Sequence, residues 1–304
     1  MDVFSDILRT LRLRATVFLH ACFYGNWAVD TSGDKRATFH MVVRGGCWLH
    51  LPGQKAPIAL TGGDLIVFPH DAEHTISNSP TPPPATFPRN RPPPQDQEAQ
   101  GVTLICGYFE FERHQWNPVL EALPQVMVVH EQSGTGMPFS DSLGRYLAYE
   151  VETEQSGGEL LVDRLSEILF IHVVRRHLAA NRGEGFIAAL ADERIGRVLS
   201  RIHAAPAEAW SVESMAELAG QSRSAFSSRF TQLAGLSPML YLTRWRMTLA
   251  NERFLTTAES VEQVAEKVGY QSGIAFAKAF KRHFGYGPGA ARRARLSEET
   301  VTEA

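Results

Sequence analysis

Two groups of side chains in this chain have the types and spacing for chemistry, and they lie far apart in sequence. Between residues 40 and 74 stand His40, His50, His70 and His74, with Arg44 and Cys47 among them. Imidazole and thiolate are transition-metal ligands, whereas a guanidinium clamps carboxylate or phosphate. Three readings stay open. One is a metal-free pocket for a small organic effector, lined by His40, Arg44, Trp48 and His74. Another is a metal site of His40 and His74 completed by His70, His50 or Cys47. In the third, the histidines only fill polar positions of a scaffold. The second group runs from Arg223, Ser224, Ser227 and Ser228 to Gly273, Ile274, Ala275, Lys278 and Arg282. Hydroxyl, guanidinium and ammonium groups suit base edges and phosphates, and small apolar groups suit thymine methyls.

The elements that must hold the second group are written twice. Val212, Glu213, Ala216, Glu217, Gly220, Ser222, Phe226, Phe230, Gly235 and Pro238 return as Val261, Glu262, Ala265, Glu266, Gly269, Ser272, Phe276, Phe280, Gly285 and Pro288. Each copy reads as a helix–turn–helix. Ala216 and Ala265 allow close helix crossing, Gly220 and Gly269 tolerate positive φ in the turn, and Ser222 and Ser272 cap the second helix. The paired phenylalanines, four residues apart, form its buried stripe. Subtracting that stripe leaves the reading faces, with Arg229 a further candidate on the first. A continuous helix from Pro238 to Leu255, roughly 26 Å long, links the copies. The two reading helices could then enter major-groove segments about 34 Å apart. Arg244, Arg246 and Arg253 on this link are candidates for phosphate contact, with an internal ion pair the alternative for Arg246.

The stretch GYQSGIAFAKAFKRHFGYGP (269–288), preceded by AGQSRSAFSSRFTQLAGLSP and YLTRWRMTLANERFL, resembles the AraC/XylS family of bacterial transcription regulators. The resemblance covers about 100 residues. It implies base-facing positions for Ser224, Ser227, Ser228, Gly273, Ile274, Ala275 and Lys278. Ala291 departs from the family pattern, which has an aromatic before Arg292. The second face is small and apolar, so the first is expected to do most of the reading.

The front half changes texture. Residues 16 to about 113 carry short Val-, Ile-, Phe- and Thr-rich runs punctuated by Gly and Pro, which read as a small barrel or sandwich. The run from Gly63 through Pro69 and His74 to Asn78 resembles the second signature of cupin barrels, in which that histidine is a metal ligand. The first signature is weak: with His40 as its second histidine, Thr38 and Arg44 fall where the family has histidine and glutamate. Residues 2–12 read as a short helix, and 80–100 as a solvated Pro-rich loop. Helices follow at 137–155 and 158–180. The second is apolar on more than one face, as for a core helix or for a contact with a second subunit.

The expected fold is thus α+β. A cupin-like barrel with following helices (1–181) serves as sensor and dimerisation domain. A linker (182–187), an all-α double helix–turn–helix domain (188–295) and an acidic tail (296–304) complete the chain. Charge follows that division. Residues 190–295 hold 15 Lys/Arg against 9 Asp/Glu, and residues 1–189 hold 15 against 21, within a net charge of −3 over 304 residues. A basic half on an acidic half fits a DNA-binding domain with a separate sensor. Three widely spaced cysteines form no disulfide framework, and no stretch reads as a membrane span, so a cytoplasmic protein is expected. No Ser/His/Asp set, P-loop or dinucleotide fingerprint is present, and no cofactor is expected. The expected partners are double-stranded DNA, an unidentified small effector, a second copy of the chain, and RNA polymerase if the protein activates. The alternative is a cupin metalloenzyme, an oxygenase or isomerase, fused to a DNA-binding module.

Overall fold

In chain order the elements begin with α1 (Val3–Thr10), β1 (Arg14–Phe23), β2 (Ala28–Val29), β3 (Ala37–Arg44), β4 (Gly46–His50) and β5 (Ile58–Thr61). Then come β6 (Leu65–Phe68), β7 (Thr75–Ser77), β8 (Val102–Glu110), α2 (Pro118–Ala122), β9 (Met127–Val129), α3 (Pro138–Thr153) and α4 (Gly158–Ala180). The rest is helical: α5 (Gly185–Ala191), α6 (Glu193–Ala204), α7 (Val212–Leu218), α8 (Arg223–Ala234), α9 (Pro238–Thr256), α10 (Val261–Lys267) and α11 (Gly273–Phe284). This computed structural model describes residues 3–10, 12–84, 86–88, 101–111, 116–130, 138–153, 155–180 and 185–293. Most of the expected Pro-rich loop, residues 181–184 and the acidic tail lie outside the described residues.

Two units divide the chain. Residues 13–111 and 123–180 form one. Its strands make two antiparallel sheets, ordered β1-β8-β3-β6-β9 and β2-β7-β4-β5. Among the described residues the sheets stay open rather than closing into the expected barrel, because no ladder joins their edges. The two sheets share a core of Phe23, Trp27, Leu49, Phe68, Ile76 and Leu104. On the five-stranded sheet α4 packs against β1, and Phe170 meets Phe109 at 4.8 Å. Helix α3 pairs with α4, and Gly144 lets it approach Met41, whose sulfur would lie 3.1 Å from any Cβ at that position.

The second unit gathers residues 1–12, 112–122 and 181–304. Two pieces that sequence order assigns to the front half therefore belong with the C-terminal helices. Helix α1 packs on α6 and α9, and α2 packs on α5. Within this unit α7–α8 and α10–α11 each form a helical pair against α9, and α5 begins at Gly185 inside the segment expected as linker.

Candidate nucleic-acid interface and effector site

Both reading helices start and stop on local chemistry. Ser222 and Ser272 accept hydrogen bonds from the backbone N–H groups of Ala225 and Ala275, and Gly235 and Gly285 end the helices in left-handed conformation. These bonds and turns satisfy backbone groups that the helix leaves free. Gly220 and Gly269 have φ +62° and +86°, as the turn requires. Phe226, Phe230, Phe276 and Phe280 are fully buried, which fixes the rotation of each helix about its axis. The opposite faces meet solvent. Arg223, Ser224 and Ser228 are exposed and Ser227 is half-buried; Gly273, Ile274, Ala275, Lys278 and Arg282 are exposed. Ile274 is 74% exposed, the most open large apolar side chain among the described residues.

Several arginines are already engaged. Arg229 donates to Asp192, the N-cap of α6, at 3.0 Å, so it braces α8 rather than extending the reading face. Arg223 lies 3.0 Å from Glu213 in an exposed pair, which DNA can displace at little cost. Arg253 pairs with Glu259 at 3.1 Å. Arg246 takes neither expected role: it donates to the carbonyls of Pro206 and Glu208, both at 2.8 Å.

The histidines of the front unit form a smaller cluster than either ligand reading requires. His40 and His74 are buried, with their Nε2 atoms 3.0 Å apart and Thr31 Oγ1 at 3.1 and 3.2 Å. His74 Nδ1 faces the Ala72 carbonyl at 2.7 Å. A carbonyl only accepts, so Nδ1 holds the His74 proton, and His40 Nε2–H donates to the bare His74 Nε2. That leaves His40 Nδ1 buried without a partner. Burial holds both imidazoles below the ordinary histidine range, most strongly at His40, where His74 adds to it. Phe68 stacks on His74 with ring centroids 3.7 Å apart.

This donor set does not fit a divalent cation. Two imidazoles and one hydroxyl converge, already bonded to one another. Asp71 is turned to the backbone N–H groups of Gly33 and Lys35. His70 bonds the Leu123 carbonyl and His50 bonds Ser77, so neither completes the set. Cys47 is buried, and its thiol is pushed up to about 12 by burial and by Asp64. Among the described residues no three His, Cys, Asp or Glu come together as a metal site.

Nor do the four expected effector residues meet. Trp48 is half-buried between the buried Cys47 and Leu49, so strand alternation turns it to the other face. Arg44 is exposed at the end of β3. There it borders a half-open cleft of about 440 Å³ with Val42, Gly62, Arg145, Tyr149 and Glu152. Neither His40 nor His74 lines this cleft.

Residues 2–179 match a cupin family, and residues 215–294 match a helix-turn-helix domain family. A putative AraC-like transcription regulator of Streptomyces antibioticus is 31% identical over 303 residues, covering 96% of this chain and 99% of its own. The chain belongs to the AraC-like transcription regulators. The HTH-type transcriptional regulator AlkR of Acinetobacter baylyi is 29% identical over 303 residues, covering 95% of this chain and 98% of its own. Among solved structures, the DNA-binding domain of AdpA in complex with a target DNA is 30% identical. It covers 35% of this chain and 96% of that one, with a TM-score of 0.34. This regulator binds DNA through its helix–turn–helix domain. Its relatives are named as transcription regulators, so the metalloenzyme alternative falls. No helix among the described residues is long and apolar enough to cross a membrane.

Some contributors escape a motif-by-motif reading of this regulator. Ser211 and Ser260 cap α7 and α10 in full capping boxes with Ser214 and Gln263. The Ser-x-x-Gln spacing of the second was there to signal it; the Ser-x-x-Ser of the first falls outside that signature. Trp116 left no such signal. It is buried against the edge of Tyr241, with ring centroids 5.2 Å apart, and the Arg244 guanidinium lies 5.5 Å from its ring. Ala291 is buried in the core of the second helix–turn–helix, so a small side chain fills the family's aromatic position.

Proposed function

We propose that this regulator reads a two-part DNA site, mainly through Ser224, Ser227, Ser228 and Arg223 of α8. Gly273, Ile274, Ala275, Lys278 and Arg282 of α11 supply thymine-methyl and phosphate contacts. The observation that carries this reading is the pair of exposed helix faces, each set by a fully buried phenylalanine pair and closed by caps at both ends. Selecting bound duplexes from a random pool tests it. Strong base preference in one contacted segment and weak, A·T-leaning preference in the other is the expected result. Equal preference in both segments would remove the asymmetry.

The same reading places effector response in residues 13–111 and 123–180. His40 and His74 are bonded to each other and stacked by Phe68, and the cleft that His74 borders with His50 and Glu73 is about 180 Å³, so the cleft of about 440 Å³ beside Arg44 and Arg145 is the better receptor. Arg44 and Arg145 share its lining with Met41, Val42 and Ala148, which suits a small organic carboxylate with an apolar body. Calorimetric titration with such acids checks it, and Arg44→Ala should abolish the signal while leaving the melting temperature unchanged. Leu160 and Ile168 are 63% and 43% exposed on α4, which supports a homodimer through that helix. A cytoplasmic location, and contact with RNA polymerase if the protein activates, complete the proposal.

A further inference from the structure

The two helix–turn–helix pairs are built on opposite ends of α9. Tyr241 packs towards the first, where it meets Phe230, and Trp245 stacks on His203 of α6; Met247, Ala250 and Phe254 belong to the core of the second. Two separate cores on one helix would leave their relative orientation to the bending and twisting of that helix. One residue at the middle of α9 ties them together directly. The Arg246 Nε–H donates to the Pro206 carbonyl and an Nη2–H to the Glu208 carbonyl, both at 2.8 Å, in the loop that leads into α7. The same guanidinium lies 5.8 Å from the ring of Tyr270, in the turn between α10 and α11. It therefore touches the entrance of the first unit and the turn of the second at once.

The backbones confirm how close these parts come. A Cβ on Gly269 would fall 2.8 Å from both Cα and O of Ala207 and 2.7 Å from Arg246 Nη2. The matching glycine of the first copy, Gly220, has nothing within 4 Å of that position. Trp210 closes the loop by donating from Nε1 to the Ala205 carbonyl at 2.9 Å. Beside this contact the joint is not packed: a half-open cleft of about 530 Å³ runs between Trp210, Glu262, Glu266 and Gln271. Across the joint the planar fork of Arg246 and the bare backbone of Gly269 make direct contact with residues 206–208. Two charge-assisted bonds from one rigid group give direction as well as attraction.

We propose that Arg246 is a positioning residue for DNA reading, locking the spacing and rotational phase of α8 and α11 so that the two units act as one rigid reader. It rests on the two-unit reading given above. Each base pair added between the contacted segments rotates and shifts one segment relative to the other, so a rigid reader must discriminate spacing. Without the pin the units should follow the DNA, losing affinity on the preferred duplex and tolerance-limited spacing with it.

The test uses the full chain, a duplex it selects from a random pool, versions with one base pair inserted or deleted between the protected segments, and a half-duplex carrying the first segment only. Wild type should lose about 10-fold or more on each spacing change, the scale of a mismatched contact. Arg246→Gln should bind the preferred duplex about 10-fold more weakly yet lose under about 3-fold further on spacing changes, since the ordering cost is then met on binding. Both proteins should bind the half-duplex equally, which also shows that the variant is folded. Arg246→Lys, which keeps the charge without the fork, should fall between the two. An Arg246→Gln variant that keeps the wild-type spacing penalty overturns the pin, and so does one that loses half-duplex binding in step with the full duplex. Wild-type protection of a single groove segment would instead overturn the two-unit reading, and the pin with it.

Discussion

The two helix–turn–helix copies share their internal chemistry and differ in what surrounds it. Serine caps, left-handed glycine ends and buried phenylalanine pairs recur position by position. Outside that skeleton the copies part. Gly220 turns in open space, whereas Gly269 is wedged against the Ala207 backbone. The first reading face carries hydroxyls and an arginine; the second presents Ile274 and Lys278. Arg229 of the first copy is anchored to Asp192, while its counterpart by alignment from the serine cap is Ala279, in the second core. Duplication has kept what folds a unit and released what a unit touches, because cap and core geometry tolerate few solutions while surfaces tolerate many.

The deepest cut at the shared part is Phe226→Ala against Phe276→Ala. Both rings are fully buried, so each should cost about 3 to 5 kcal/mol in urea unfolding. A much smaller loss in one copy would mean that its core can collapse around the cavity. The glycines test the unshared part. Gly269→Ala adds a backbone clash to left-handed strain and should cost about 3 kcal/mol, whereas Gly220→Ala bears the strain alone, at about 1 kcal/mol. Equal costs would deny the special contact at Gly269.

Acid should divide the copies too. Burial holds His203, bonded to Tyr241 Oη at 2.8 Å beside the first unit, down to about 3. The unfolded chain protonates it at its ordinary value. Its stabilisation is therefore complete above pH 6.5 and is lost progressively as pH falls towards 3. Roughly 2 kcal/mol should go by pH 5, and His203→Gln should flatten that part of the stability–pH curve. In the second unit His283 is held to about 4, by burial first and then by Arg244, so the same loss ends sooner. The smallest expected effects are on binding. Lys278→Ala should weaken all duplexes about equally and lower the salt slope by about one, while Ser228→Ala should relax preference at one base position by about 1 kcal/mol. Gel-shift titrations at several salt concentrations separate these outcomes; a sequence-specific effect of Lys278→Ala would move it from phosphate to base.

How much was legible depended on how local the cause was. The turn glycines, the caps at Ser222 and Ser272 and the phenylalanine stripes could be read because each acts within four residues along the chain. The strands of the front half were legible for the same reason, but the closure of their sheets was not, since closure depends on edges far apart in sequence. His40 and His74 were recognisable as a pair. That they bond each other and leave His70, Arg44 and Trp48 elsewhere follows from strand alternation and sheet register, which residue spacing across loops does not set. Trp116 was invisible for a related reason: nothing in residues 112–122 shows that they join the C-terminal helices.

The sequence by itself determined that this chain carries two helix–turn–helix units of one design, because caps, turns and helical periodicity are short-range chemistry. It also determined that their faces differ. Only the tertiary structure decided which arginines are engaged within the chain, since Arg229 and Arg246 are claimed by groups 37 to 40 residues away. It alone decided that the turn of the second copy leans on the entrance of the first. Contacts of that kind depend on where whole helices come to rest, and packing of the complete unit sets that position.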